Sequence, residues 1–208
     1  AVITGSDVSE RFYTDEILDK LKIKALPFSS QNITDSVQLV IYSSAYNPDT
    51  NPDLVEAVKR GIPVLLYTQA LGAFSKNAYS CGVCGVHGKT TTTGLCGSIF
   101  KELDFPGAVL AGSIISSFGG CTYTSPVSAE ASPLKKSFFI AETCEYQRHF
   151  MSFFPQKIIL TSVESDHQDY YPTYEDIRAA FVDYICKLPQ KGQLIYCADD
   201  AGAVETAK

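Results

Sequence analysis

The chain has 208 residues, 45% of them hydrophobic and 19% charged, with a formal net charge of −6. This is a globular composition, enough for one large or two small domains, and the acidic balance argues against a broad phosphate-backbone-binding surface, so no nucleic-acid partner is expected. No apolar run approaches bilayer length and no signal peptide is expected; the seven scattered cysteines read as small hydrophobes of a reducing compartment, so a cytoplasmic location and no membrane partner are expected.

Residues 1–76 alternate strand and helix. Val2-Ile3 reads as a strand leading into Gly5-Ser6-Asp7, and Thr14 as the cap of a helix running to about Lys22. Leu39-Val40-Ile41-Tyr42 is a continuous apolar run, the pattern of a buried parallel strand. Asn51-Pro52 opens the next helix, with proline in its first turn, and Gly61 stops it. Pro63–Tyr67 is a further strand and Gln69–Phe74 a short helix. The pattern predicts a Rossmann-like, doubly wound α/β half-domain over residues 1–76.

A second unit is expected over residues 77–208. Ala78–Cys81 reads as a strand, and it is followed by Gly82-Val83-Cys84-Gly85-Val86-His87-Gly88-Lys89-Thr90-Thr91 and a helix from Thr91 to Leu103. Strand, glycine loop and helix form a phosphate grip: backbone N–H groups face phosphate oxygens, Lys89 reaches the β and γ phosphates, and Thr90 offers its hydroxyl to Mg²⁺. The glycines fall at every third residue, with Val83 where the commoner version of this loop has glycine. The alternative is a glycine-rich turn with a surface lysine. Residues 112–133 are glycine- and serine-rich and read as a loop or hairpin; Ser137–Ala141, Lys157–Ser162 and Gln193–Cys197 read as strands, and Tyr174–Leu188 as a helix. The expected architecture is therefore α/β: a Rossmann-like half-domain, then a P-loop-containing, mostly parallel α/β domain. The chain opens on a strand and closes on what reads as the start of a helix, so both domains are expected to be incomplete parts of a longer protein.

Ligands gather at the carboxyl ends of the strands in such sheets. Beyond the loop, two of these ends carry chemistry: Glu142, and His167 within Glu164-Ser165-Asp166-His167-Gln168-Asp169. A nucleoside triphosphate needs Mg²⁺, and Mg²⁺ takes one or two carboxylates plus phosphate and water. Glu142 stands where that carboxylate belongs, and His167 one strand over, where it could bind a second ion or touch the γ-phosphate. The competing readings are a helix cap for Glu142 and a solvated helix start for His167. Cys81-x-x-Cys84 lacks a second pair at metal spacing.

Gly85-Val86-His87-Gly88-Lys89-Thr90-Thr91-Thr92 resembles the His-Gly-Lys-Thr-Thr-Thr loop of the Mur ligases. Gly5-Ser6-Asp7, Ser43-Ser44-Ala45, Arg60-Gly61-Ile62-Pro63-Val64, Glu164-x-Asp166-His167-x-Asp169 and Cys197-Ala198-Asp199-Asp200 are similar to that family's other motifs, in the same order. The resemblance implies an ATP- and Mg²⁺-dependent ligase that joins L-alanine to UDP-N-acetylmuramate through an acyl phosphate. A murein tripeptide recycling ligase is the alternative within the family, and a P-loop module without ligase activity the alternative outside it. By the same resemblance, Gly85, Val86, His87, Gly88, Lys89, Thr90 and Thr91 would hold ATP. Lys89, Glu142 and His167 would be catalytic. Thr90 and Glu142 would ligate one Mg²⁺, Glu142 and His167 a second, and Asp7, Ser43 and Ser44 would lie at the UDP-sugar. The family's second cluster of acidic residues is Cys144-Glu145-Tyr146-Gln147 here, which puts those later acidic roles in doubt. This length of chain alone is expected to bind nucleotide weakly without turnover.

Overall fold

The computed structural model describes residues 2–125 and 137–208. The chain divides into two compact units, Ala1–Ala70 and Leu71–Lys208.

The first unit comprises β1 (Gly5–Ser6), α1 (Tyr13–Lys20), β2 (Ala25–Leu26), β3 (Val40–Tyr42), α2 (Pro52–Lys59) and β4 (Val64–Leu66). Its strands pair two by two, β1 with β2 and β3 with β4, both parallel. The start of α2 follows from Asn51, whose side chain accepts from the amides of Asp53 and Leu54, with Pro52 in the first turn. Gly61, at φ +69°, takes the left-handed position just past the helix end. Two expectations fail here. Val2-Ile3 lies outside any strand, the extended segment being Gly5–Ser6, and Leu39–Tyr42 is not a buried strand, since Ile41 is 52% exposed. Among the described residues β3 pairs with β4 alone, so one edge of the strand is left without a partner strand. The helix after β1 starts one residue before Thr14, with Phe12 at the N-cap, whose amide donates to the Asp15 carboxylate at 2.6 Å.

This unit is held by a buried acid the sequence did not single out. Asp53 is 4% exposed. Its carboxylate accepts from the Ser6 hydroxyl, from the Ser29 amide at 2.6 Å and from Asn32 Nδ2 at 3.3 Å. One side chain thereby ties α2 to β1 and to the turn at residues 29–32.

The helix α3 (Tyr67–Ser75) leads into the second unit. There follow β5 (Tyr79–Cys84), α4 (Lys89–Glu102), β6 (Gly107–Ile115), β7 (Gly120–Thr124), β8 (Phe138–Glu142), β9 (Lys157–Leu160), α5 (Tyr174–Ile185), β10 (Gln193–Tyr196) and α6 (Ala201–Thr206). The sheet order is β10-β9-β5-β8-β6-β7, parallel throughout except for β7. Alternation along the strands sorts the core into two layers. Cys84, Phe139, Ala141, Ile158 and Leu160 face Ile177, Phe181 and Tyr184 of α5, while Cys81, Val83, Val109, Ile140 and Ile159 face Cys96 and Phe100 of α4. Phe150 stacks on Tyr184 with ring centroids 4.4 Å apart.

The second unit is thus the expected mostly parallel α/β layer, with three boundary corrections. The strand β5 continues through Gly82-Val83-Cys84, because that segment is the buried centre of the sheet, and α4 starts at Lys89. The stretch read as loop or hairpin holds a hairpin, β6 with the antiparallel β7, but β6 starts earlier, at Gly107, and pairs parallel with β8 through Leu110. Residues 126–133 of that stretch lie outside the described residues.

Candidate nucleotide-binding site

The centre of the sheet sets the site. The strand β5 has β8 on one side and β9 on the other, so the loop after β5, the end of β8 and the end of β9 are neighbours. The loop makes its turn with Gly85 at φ +135° and Gly88 at φ +80°. A Cβ on Gly85 would sit 2.1 Å from Thr161 Oγ1 and 2.8 Å from the Ser162 amide nitrogen. Only glycine fits that close approach. The loop is stitched to the end of β9: the Val86 amide donates to the Ser162 carbonyl at 3.1 Å, the His87 amide to Ser162 Oγ at 2.9 Å, and Thr161 Oγ1 to the His87 carbonyl at 2.5 Å.

Gly88 is the N-cap of α4 and brings no side chain to cap it. The first amides of a helix have no intrahelical partner, and together with the helix dipole they favour an anion. Lys89 starts the helix and folds back over the loop. Its Nζ donates to the Gly85 carbonyl at 2.6 Å, to the Val86 carbonyl at 3.1 Å and to Glu145 Oε1 at 3.1 Å, with Oε2 at 3.0 Å. One residue on, Thr90 Oγ1 donates to the Glu142 carboxylate at 2.8 and 3.0 Å. Glu142 closes β8, and its Oε2 also accepts from the Gly112 amide at 2.7 Å. That amide is aimed by an irregularity in β6: Leu110 pairs with Thr122 and Ile115 with Gly120, so four residues on one strand oppose one on the other.

At the end of β9, His167 has φ +52°. A left-handed non-glycine residue is strained by about 1–3 kcal/mol and persists where its neighbours over-determine it. Here its amide donates to Asp166 at 2.7 Å and its carbonyl accepts from the amides of Tyr170 and Tyr171, both at 2.8 Å. The ring Nε2 lies 3.2 Å from Glu145 Oε1, and the ring packs 4.7 Å from that of Tyr146, whose hydroxyl donates to Asp169 at 2.7 Å.

The structure therefore brings together Lys89 with Glu145 and His167, and Thr90 with Glu142. Glu145 is the residue that sequence reasoning discounted. It is buried, at 0% exposure, and its backbone carbonyl accepts from the Tyr171 hydroxyl at 2.6 Å. Its signal was a carboxylate three residues after Glu142 in a strand-end turn. The His167 ring lies against Glu145, and the Glu142 carboxylate against Thr90 and the Gly112 amide. One magnesium ion fits the donors present. Thr90 and Glu142 supply two hard-oxygen groups in contact, and Mg²⁺ takes its remaining ligands from phosphate and water. Cys81 and Cys84 are buried behind the loop: burial pushes the Cys81 thiol up to about 12, and burial together with Glu145 pushes Cys84 well above the ordinary thiol value, which disfavours the thiolate at both.

In the first unit, Asp7 and the Ser43-Ser44 segment also meet. Asp7 Oδ1 accepts from the Val8 amide at 2.8 Å and from the Tyr46 hydroxyl. The Tyr46 amide donates back to the Ser43 carbonyl at 3.0 Å, closing a turn that leaves Ser43 and Ser44 exposed. Phe28 packs edge-on against Tyr46, centroids 4.8 Å apart.

Strand, glycine turn, lysine and threonine on an open parallel sheet define a phosphate-loop α/β protein. The comparisons with known proteins narrow the class. The Mur ligase middle domain matches residues 83–208, and the Mur ligase family catalytic domain matches residues 1–79. This chain belongs to the Mur ligase family. It is 50% identical over its whole length to the UDP-N-acetylmuramate–L-alanine ligase of Treponema pallidum, of which it covers 42%, and 41% identical over 95% of its length to that of Borreliella burgdorferi, again covering 42%. The UDP-N-acetylmuramate–alanine ligase structure from Thermotoga maritima superimposes with a TM-score of 0.75 at 26% identity, over 98% of this chain and 45% of that one. The chain thus spans about two-fifths of the curated relatives it matches.

Proposed function

We propose that this chain is the nucleotide-handling part of an ATP-dependent ligase that joins L-alanine to the lactyl carboxylate of UDP-N-acetylmuramate. The observation that carries the reading is the Lys89 loop set beside the Thr90–Glu142 pair at the centre of a parallel sheet. The identity to ligases of that name supports the choice of substrates.

A carboxylate is a poor acyl donor, and phosphorylation by ATP activates it as an acyl phosphate. Bound Mg²⁺ supplies charge neutralisation between the phosphates. The residues of this chain do the rest by placement. The amides of residues 88–91 and Lys89 hold the β and γ phosphates, with Gly85, Val86 and His87 forming the turn beneath them. The Thr90 hydroxyl and the Glu142 carboxylate would hold the magnesium, and His167 would serve at the γ-phosphate. The carboxylate oxygen attacks phosphorus as ADP leaves; the alanine amine then attacks the acyl carbon, phosphate leaves, and the amine proton is lost. No side-chain nucleophile is needed. In the first unit, Asp7 with the Ser43-Ser44 turn takes the UDP moiety. The division of labour follows residues 1–76 for the sugar nucleotide and 77–208 for ATP. Substrates of this kind place the reaction in the cytoplasm, and no helix among the described residues is long and apolar enough to cross a membrane.

Calorimetric titration with MgADP and a thermal-shift series with UDP-N-acetylmuramate and GTP test the reading. The expected result is MgADP binding that is lost in Lys89→Met, with stabilisation by UDP-N-acetylmuramate. Stabilisation by GTP alone would point instead to a nucleotide switch and overturn it.

A further inference from the structure

The Lys89 ammonium has three N–H donors, and all three are taken within the protein, by the carbonyls of Gly85 and Val86 and by Glu145. The third partner is unlike the others. The carbonyls belong to the loop itself, whereas Glu145 comes from the turn after β8, 56 positions along the chain. Its side chain is 1% exposed, and stability alone is a weak reason to bury a carboxylate there, because ion pairing seldom repays the lost hydration. The same carboxylate touches His167 at 3.2 Å. Lys89 and His167 thus share one anion.

From this we infer that Glu145 is a positioning residue, linking the phosphate-loop lysine to the histidine at the end of β9 so that a change at one is felt at the other. The inference rests on the nucleotide-binding reading above and deepens it. A phosphate that engages Lys89 must draw on an ammonium whose donors are already committed. The loop carbonyls are fixed by the glycine turn, so the bond that yields is the one to Glu145. A buried carboxylate released by its lysine needs its other partner more, and that partner is His167. Occupation of the phosphate site thereby sets the imidazole, with Glu145 as the connecting group. The Tyr171 hydroxyl on the Glu145 carbonyl, together with the Arg148 amide at 2.8 Å on the same carbonyl, keeps the turn from following the side chain.

Two measurements on the whole chain test this. The first needs no nucleotide: the ¹⁵N resonances of the His167 imidazole are compared between the wild type and Lys89→Arg, which keeps a cation for the buried acid. A shifted His167 signal supports the link, and an unmoved one overturns it; His167→Asn assigns the signal. The second is a cycle of Lys89→Arg and His167→Asn read as MgADP dissociation constants, run with and without Glu145→Gln. The expected non-additivity is at least about fivefold in the wild-type background and falls within about twofold when Glu145 is replaced. Equal coupling in both backgrounds, or none in either, overturns the proposal. A role confined to holding the fold would lower the melting temperature of Glu145→Gln and leave the coupling in place. If Glu145→Gln fails to fold, the resonance measurement still decides. If the wild type does not bind MgADP, the nucleotide reading fails while the Lys89–His167 link is still tested.

Discussion

Replacing Gly85 by alanine separates the geometry of the loop from its composition. The residue sits at φ +135°, and an added Cβ would lie 2.1 Å from Thr161 Oγ1 and 2.8 Å from the Ser162 amide nitrogen. The hydroxyl can rotate; the amide nitrogen is backbone within the stitching of loop to β9. The conformational strain costs about 1–2 kcal/mol and the overpacking about 1–3 kcal/mol, together about 2–5 kcal/mol. For a chain of this size each kcal/mol shifts the melting temperature by about 2–4 °C, so a loss of about 4–20 °C is expected. Two alanine variants calibrate it in the same calorimeter. Gly119, at φ +71° with nothing within 4 Å of its added Cβ, isolates the backbone term at about 1–2 kcal/mol. Gly5, also with nothing within 4 Å and no positive φ, should change the melting temperature by less than about 1 °C. If Gly85→Ala melts no lower than Gly119→Ala, the close approach to Ser162 does not exist and the loop is not built as described.

Other consequences are sharper for function. Alanine at Gly112 would set a Cβ 2.7–2.9 Å from the Glu142 carboxyl atoms, so Mg²⁺ dependence of nucleotide binding should weaken about tenfold or more with little change in melting temperature, as titration at varied Mg²⁺ would show; unchanged dependence would remove Glu142 from the magnesium site. Asp53→Ala strands the Ser29 amide and the Asn32 amide group, and a stability loss of about 2–4 kcal/mol is expected as a lower urea midpoint; an unshifted midpoint would show that Asp53 is not the tie of the first unit. Burial lowers the His149 pKa below its ordinary value. The unfolded chain therefore binds the proton more readily, so stability is full above about pH 6.5 and declines as pH falls below it. His149→Gln should flatten the decline in melting temperature between pH 7 and pH 5, and an unaltered slope would refute the assignment.

The residues that announced the site were those with a local signature. Gly85, Gly88, Lys89 and Thr90 carry their meaning in four to six consecutive positions, and β8 and β9 were legible as short apolar runs ending in Glu142 and near His167. What escaped depended on neighbours the sequence does not place. Glu145 looked like a remnant because its partners lie in the loop after β5 and at the end of β9. Asp53 stands in the first turn of α2, an ordinary place for an acid, and only the structure shows Ser6, Ser29 and Asn32 converging on it. The strand β6 was hidden by its small residues, Gly107, Ala108, Ala111, Gly112 and Ser113; the close packing against the hairpin is made by glycines of α4, where an added Cβ on Gly94 or Gly97 would sit 2.7 Å from Ile115 or Phe118. The reading of Leu39–Tyr42 as buried assumed cover on both faces of the strand, and Ile41 stays 52% exposed.

The placement of β5 between β8 and β9 has a kinetic corollary. Lys89 and Glu145 are 56 positions apart, and the His87 amide reaches Ser162 across 75. No fragment of the second unit that lacks β5, β8 or β9 can present these groups to one another, so the anion pocket comes into being only when these three strands have paired. Anything that binds there recognises the finished domain alone, and at a concentration one hundred times its dissociation constant it deepens the native well by about 2.7 kcal/mol.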